Sequence, residues 1–355
     1  MFGRAFELAH AEMRITIVTP ARAGTTHGNR VTALRWAGML EQLGHSVSIR
    51  QTIDDQPADL LIALHARRSY ASVERFHRQW PQKPIVLALT GTDVYRDLKR
   101  DPRAQKSLEL AQRIVVLQPK ALEQLSDRVR AKARVIYQSV EKIEGRPLGR
   151  HFDVCVIGHL RSVKDPFRAA LAARLLPASS RIRIRQVGGA MTEAMARRAR
   201  AEADRNPRYQ WLGELSRTRT RRILAGSQVC VLSSRMEGGA NALSEAIVAG
   251  VPLLASRIDG NIGILGADYP GLFEVGDTRE LARLLIRAES EKDFLSDLRR
   301  RVKQLAPLFN PQRERRAWSN LLRELASEFM VGRAAFNTTI GLRTDVSPTR
   351  YRRWD

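Results

Sequence analysis

Short apolar runs alternate with amphipathic segments along almost the whole chain, and no other feature of the sequence constrains the fold as much. The runs include RITIV, DLLIAL, PIVLAL and DVCVIG, whose lengths are typical of buried strands. The segments between them carry apolar residues at helical spacing; in residues 29–43 these are Val31, Leu34, Trp36, Met39, Leu40 and Leu43. Continuous apolar strands separated by helices predict parallel sheets with helices on both faces.

The alternation is interrupted at residues 140–151, VEKIEGRPLGRH, whose glycines, proline and mixed charges are typical of a linker. It then resumes and ends near residue 306, before a last helix that follows Pro311. We therefore predict an α/β protein with two doubly wound parallel-sheet domains that face a central cleft. The expected boundaries are an N-terminal extension 1–12, a first domain 13–145, a second domain 146–310, a C-terminal helix 311–331 and a flexible tail 332–355.

The charge balance is strongly basic, with 60 Lys and Arg against 37 Asp and Glu and a net charge of +23. Such an excess attracts polyanions, so nucleic-acid binding is one alternative for the function. The arginines are dispersed, however, and the sequence contains no helix-turn-helix, RNP-like or zinc-finger pattern. We therefore expect no nucleic-acid partner.

Cys155 and Cys230 each lie inside an apolar run, which indicates buried strand residues and neither a disulfide scaffold nor a zinc site. No apolar run approaches the ~18 residues that cross a bilayer. The first residues, MFGRAFELAHAEMR, lack the apolar core of a secretory signal. The sequence therefore predicts a cytoplasmic protein without integral membrane association.

Two glycine-containing turns, ARAGTTHGN and SRMEGGAN, connect a strand to a helix in the first and second halves of the chain. Ligands of open α/β sheets bind beyond the carboxyl ends of the strands, where helix N-termini offer unpaired N–H groups and glycines let the backbone come close. Glu237 precedes the second turn, and Glu245 lies about one turn into the helix that begins near Asn241. A consistent interpretation is that one of the two carboxylates binds a sugar ring and the other binds a ribose diol. The alternative is that Glu237 caps the helix and Glu245 is solvated.

Several segments resemble GT-B glycosyltransferases of the family 4 type. SRMEGGANALSEA resembles the family's motif of two glutamates with seven residues between them, and GHLRSVKDP resembles the segment in which an arginine and a lysine hold the nucleotide diphosphate. LALTGTDVY resembles a segment near the reaction centre. The resemblance covers residues 13–330 and implies two Rossmann-like domains and a last helix, 311–331, that crosses back to the first domain. It also implies a UDP-sugar as co-substrate, no tightly bound cofactor and no protein-bound metal.

The resemblance also implies roles for individual residues. The catalytic group is Arg161, Lys164 and Glu237. The donor-binding group is Gly24, Thr25, Gly28, Asn29, Gly188, Gly238, Gly239, Ala240, Asn241, Ala242 and Glu245. The acceptor-binding group is His27, Arg30, His65, Arg67, Thr90, Thr92 and Asp93.

The sequence departs from the family around the sugar and the acceptor. The usual Glu-Gly-Phe-Gly is Glu237–Ala240 here, Thr90 stands where many members have histidine, and Gly263 stands where the family has glutamate. Taken together, the motifs look most like the selenosugar synthases of selenoneine biosynthesis. That resemblance implies transfer of the sugar of UDP-GlcNAc or UDP-glucose to selenophosphate, with other enzymes of that pathway as candidate partners. The alternative is an ordinary family 4 enzyme that acts on a hydroxyl acceptor.

Overall fold

The computed structural model describes residues 12–25, 27–145, 149 and 151–341, with side chains up to residue 328. The expected N-terminal extension, except for its last residue, and residues 342–355 of the expected tail lie outside the described residues.

The first domain is built on a six-stranded parallel sheet in the order β2-β1-β3-β4-β5-β6. Every residue of the central strands β3 and β4 is buried, as the continuous apolar runs predict. The strands are β1 (Arg14–Val18), β2 (Ser46–Arg50), β3 (Leu60–Leu64), β4 (Ile85–Leu89), β5 (Arg113–Val116) and β6 (Ala133–Val135). The helices are α1 (Gly28–Gln42), α2 (Tyr70–Gln79), α3 (Pro102–Leu110) and α4 (Asp127–Ala131), with a π-helix at Asp93–Asp97 and a 3₁₀ turn at Pro119–Gln124.

The second domain repeats this architecture with a six-stranded parallel sheet in the order β12-β11-β10-β7-β8-β9. Cys155 and Cys230 are free and buried at opposed positions of two neighbouring strands. The strands are β7 (Phe152–Ile157), β8 (Ile182–Val187), β9 (Tyr209–Trp211), β10 (Val229–Leu232), β11 (Leu253–Ser256) and β12 (Leu272–Phe273). The helices are α5 (Arg168–Ala173), α6 (Glu193–Arg205), α7 (Arg217–Gly226), α8 (Asn241–Val248), α9 (Asp259–Leu265), α10 (Thr278–Ser290) and α11 (Lys292–Leu305), with 3₁₀ turns at Ser162–Lys164 and Ala306–Phe309. The prediction of two tandem doubly wound domains is confirmed.

The last helix, α12 (Pro311–Gly341), crosses back to the first domain. Its apolar face enters the core beneath β1, where Trp318 meets Trp36 edge-on at 4.8 Å between ring centroids. Buried Glu314 accepts hydrogen bonds from the indole N–H of Trp36 at 2.7 Å and from the backbone N–H of Ser139 at 2.8 Å. The helix continues past the expected boundary at residue 331, because the lone Gly332 costs a helix only about 1 kcal/mol.

Candidate active site

The carboxyl ends of the two sheets meet at the turn after β10. Gly238 lies against the peptide bond between Thr90 and Gly91; a Cβ on Gly238 would stand 2.7 Å from the backbone N of Gly91. A Cβ on the neighbouring Gly239 would stand 2.8 Å from the Cβ of Leu117, which follows β5. Both glycines therefore allow the first domain to touch the second across the cleft.

Lys164 and Glu237 form an ion pair at this edge of the second sheet. They come together because the parallel neighbours β7 and β10 deliver both loops to one edge. The same Glu237 oxygen accepts a 2.6 Å hydrogen bond from the hydroxyl of Ser234. The helix α8 has Ala240 as its N-cap, without a side-chain hydrogen bond. The interpretation of Glu237 as a helix cap is therefore wrong, and its carboxylate is directed to Lys164 instead.

Glu245 is also paired rather than solvated. Its Oε1 accepts a hydrogen bond of 3.2 Å from the Nε of Arg221, and the Nε of Arg217 lies 3.8 Å away. The other predicted residues of this segment divide by environment: Asn241 begins α8 and accepts from Arg35 at 3.5 Å, whereas Ala242 is buried in the second-domain core. Because the methyl group of Ala242 is in the core, only its backbone could bind a ligand.

Arg161 was expected to hold the diphosphate and Gly188 to bind the donor, and the structure gives each a different environment. Arg161 is exposed at the start of the Ser162–Lys164 turn, so of the two predicted diphosphate cations only Lys164 sits beside Glu237. A Cβ on Gly188 would stand 2.1 Å from the carbonyl O of Gly158. The glycine therefore permits close backbone packing between the loops after β7 and β8, which explains its presence without a donor.

His159 was missed by the sequence analysis and lies across the cleft from His27, with 5.1 Å between ring centroids and an edge-on arrangement. Burial lowers the pKa of His159, and the neighbouring His27 and Arg161 lower this pKa further, while Glu214 opposes them. Its position directly after Gly158, at the carboxyl end of β7, was the signal that could have identified it.

The first-domain turn is open by comparison. Gly24 has a φ of 75°, and a Cβ there would meet no atom of the described residues within 4 Å. Thr25 bonds back to the carbonyl of Arg22 at 2.8 Å. His27 is the N-cap of α1 without a side-chain capping bond. The backbone N–H groups of exposed Gly28 and half-buried Asn29 have no hydrogen-bond partner among the described residues. Close by in sequence, the Nε of Arg30 is buried without a hydrogen-bond partner among the described residues.

His65 is buried, has a φ of 77°, and accepts a hydrogen bond from the backbone N–H of Arg68 at 3.4 Å. Its two ring nitrogens lie 3.9 Å from Asp93 and 3.8 Å from Asp97. Burial is the largest cause of a lowered pKa at His65, while the carboxylate of Asp93 acts in the opposite direction. Arg67 donates to Asp97 at 3.0 Å, whereas the Nε2 of His65 is buried without a hydrogen-bond partner among the described residues.

Asp93 was expected to contact the acceptor, and the structure contradicts this expectation. Its carboxylate is fully buried and accepts from the backbone N–H of Ala66 at 3.0 Å and of Gly91 at 2.8 Å. It therefore joins the loops after β3 and β4 and has no oxygen exposed to an acceptor. Thr90 and half-buried Thr92 remain at the cleft, and the Thr90 hydroxyl is buried without a partner among the described residues.

Within the described ranges, no cluster of three or more His, Cys, Asp or Glu side chains is suited to hold a metal ion. No helix in these ranges has the length and apolar character needed to span a bilayer.

Residues 141–307 match the family described as Glycosyl transferases group 1. HepE of Anabaena, solved in complex with UDP-glucose, has a similar structure: the TM-score is 0.66 at 14% identity, covering 90% of this chain and 100% of that one. For sucrose-phosphate synthase of Thermosynechococcus elongatus, the TM-score is 0.67 at 15% identity, covering 91% and 100%. The likeness establishes the GT-B fold. The whole chain therefore has the GT-B fold, and its second domain is similar to the glycosyl transferases of group 1.

Proposed function

We propose that the chain transfers the sugar of a UDP-sugar to selenophosphate. In the reaction, the selenium of selenophosphate attacks the anomeric carbon, the bond from that carbon to the β-phosphate oxygen breaks, and UDP leaves with the bonding electron pair. The first product is a sugar with a selenium-linked phosphate. UDP-GlcNAc and UDP-glucose are the donors we expect.

The donor assignment rests on the ion pair between Lys164 and Glu237 at the carboxyl edge of the second sheet. When a diphosphate enters, the ammonium of Lys164 becomes a partner for the charge that develops on the leaving UDP. Glu237 is then released to accept hydrogen bonds from the sugar hydroxyls. Two proteins of similar structure were solved with such donors, HepE with UDP-glucose and an Escherichia coli trehalose-6-phosphate protein with UDP-2-fluoro glucose.

The acceptor assignment rests on Thr90, the residue in contact with the Glu237 turn. A threonine hydroxyl cannot serve as a general base at neutral pH. The carboxylate of Glu237, on the turn that faces Thr90, is engaged by Lys164 and Ser234. An alcohol acceptor must lose a proton during transfer, whereas selenophosphate is already anionic and nucleophilic and needs positioning. The N–H groups of Gly28 and Asn29 at the start of α1 and the Nε of Arg30 lack partners among the described residues, which favours an anion on this side.

The test is turnover of purified protein with UDP-GlcNAc or UDP-glucose and selenophosphate, followed by mass spectrometry of the sugar product. We expect a product that carries selenium and phosphorus, together with release of UDP. A panel of alcohol acceptors in place of selenophosphate is the control. Turnover with an alcohol and none with selenophosphate would establish the ordinary hydroxyl-transferring enzyme instead.

A further inference from the structure

The donor and acceptor assignments do not explain why Arg221 is largely buried beside Glu245. It lies on α7, and its Nε donates to Glu245 on the adjacent α8 at 3.2 Å. Its side chain is 18% exposed and that of Glu245 is 12% exposed, so the pair is largely withdrawn from water. The Nη2 of Arg221 is buried and has no hydrogen-bond partner among the described residues.

Stability is a poor explanation for this pair. Burying two charges costs solvation that their attraction often only offsets, and an unsatisfied guanidinium N–H adds to the cost. An exposed arginine paired with an exposed glutamate would give the same helix contact without that cost. The arrangement is better explained by what it does to the Glu245 carboxylate.

Arg217, one turn earlier on the same face of α7, is the second cation near Glu245. Its Nε is 3.8 Å from the carboxylate and its side chain is 56% exposed. Burial lowers the pKa of Arg217, and the adjacent Arg221 cation lowers this pKa further. Arg221 is therefore the closer and less exposed of the two partners, and it fixes one oxygen, Oε1, of Glu245.

We propose that Arg221 is a positioning residue for recognition of the donor's ribose. By holding Oε1, it fixes the rotamer of Glu245 and leaves Oε2 to accept hydrogen bonds from the 2′- and 3′-hydroxyls. The carboxylate then meets the diol without losing side-chain entropy on binding. The proposal rests on the proposed function, because it requires a UDP donor at Glu245.

The test compares the affinities of UDP and 2′-deoxy-UDP by titration calorimetry on the same protein sample. The ratio of the two dissociation constants is independent of the fraction of folded protein, so a partial folding defect cannot imitate the effect. We expect wild type to prefer UDP by about 10-fold, as for one hydrogen bond to a charged group. Arg221→Gln should bring the ratio close to one, and Arg221→Lys should restore part of it.

Arg222→Gln is the matched control, because Arg222 is exposed on the same helix. It should retain the wild-type ratio. In a Glu245→Gln background, Arg221→Gln should change the ratio no further, since Arg221 acts through Glu245. In steady-state kinetics, Arg221→Gln should raise KM for the UDP-sugar by about 10-fold with a smaller change in kcat.

An Arg221→Gln protein that binds both nucleotides as wild type does, or loses both by the same factor, would overturn the positioning role while leaving the UDP donor in place. A wild-type protein that binds neither nucleotide would refute the donor assignment and, with it, the positioning role.

Discussion

The two glycine turns that face each other across the cleft look alike in sequence and differ in structure. The turn after β10 is filled: Gly238 touches the Thr90–Gly91 peptide, and Glu237 beside it is held by Lys164 and Ser234. The turn after β1 is open, since among the described residues no atom beyond the chain neighbours lies within 4 Å of a Cβ on Gly24. Glycine serves close approach of protein to protein in the first case and backbone conformation in the second. The filled turn is assembled before a ligand arrives, whereas the open turn leaves its groups to the ligand.

At a second contact across the cleft, a glycine again allows the two domains to approach closely. A Cβ on Gly263, in α9, would stand 1.7 Å from the Oε1 of Gln118, and that amide also donates to the hydroxyl of Tyr95 at 2.7 Å. The space that a glutamate would need at position 263 is therefore occupied by the first domain. Gly263, which replaces the family's glutamate, therefore lies at a contact between the two domains.

The largest effect on activity is expected from removing Lys164, the cation that pairs with Glu237. Lys164→Met should lower kcat/KM by about 100-fold or more, because the leaving UDP loses a charge partner that acts in the transition state. Lys142→Met is the matched control, since Lys142 has an 83% exposed side chain and should leave the rate unchanged. Near-normal turnover of Lys164→Met would remove the assigned role of the pair.

The next effect should come from filling the contact between the turns. Gly238→Ala places a methyl group against backbone atoms that cannot move aside cheaply, so the domains must separate. We expect kcat to fall by about 10-fold or more if closure precedes chemistry, together with a larger radius of gyration in X-ray scattering with UDP. Gly38→Ala is the control, because a Cβ there meets nothing within 4 Å. A normal radius and a normal rate for Gly238→Ala would show that this contact is not needed.

A smaller loss is expected at Gly263, because the obstructing group is a side chain. Gly263→Ala should lower kcat by roughly 3- to 10-fold through the same separation. Shortening the obstruction in Gly263→Ala/Gln118→Ala should recover much of that loss. Steady-state rates of the single and double variants give the comparison, and an additive loss in the double variant would contradict a purely steric cause.

The sequence predicted most of the fold and only part of the site, for different physical reasons. The two parallel sheets follow from the local alternation of apolar strands and helices, and the family resemblance implied the crossing of the last helix. The rule that ligands bind beyond the carboxyl ends of the strands singled out the Glu237 turn. The use of Asp93 as a link between two loops and the pairing of Glu245 with Arg221 depend on distances between segments far apart in the chain. A sequence pattern names the chemistry of a side chain but does not say whether a ligand or the protein itself will satisfy it.

The smallest effect is expected at the open turn, and it tests the comparison most directly. Gly24→Ala adds a methyl group that meets no atom of the described part of the chain within 4 Å, so its cost is the left-handed backbone at φ 75°, about 1–2 kcal/mol of stability. Thermal unfolding should show this as a lowered midpoint, while kcat/KM at a temperature where the variant stays folded should change by less than about 3-fold. Gly44→Ala, with a φ of 88° and no neighbour within 4 Å, provides the same strain at a turn away from the cleft. Because strain and space are matched, any further loss of activity in Gly24→Ala relative to Gly44→Ala measures the approach of a ligand to the open turn. A loss of activity in Gly24→Ala that exceeds the loss in Gly238→Ala would reverse the assignment of filled and open turns.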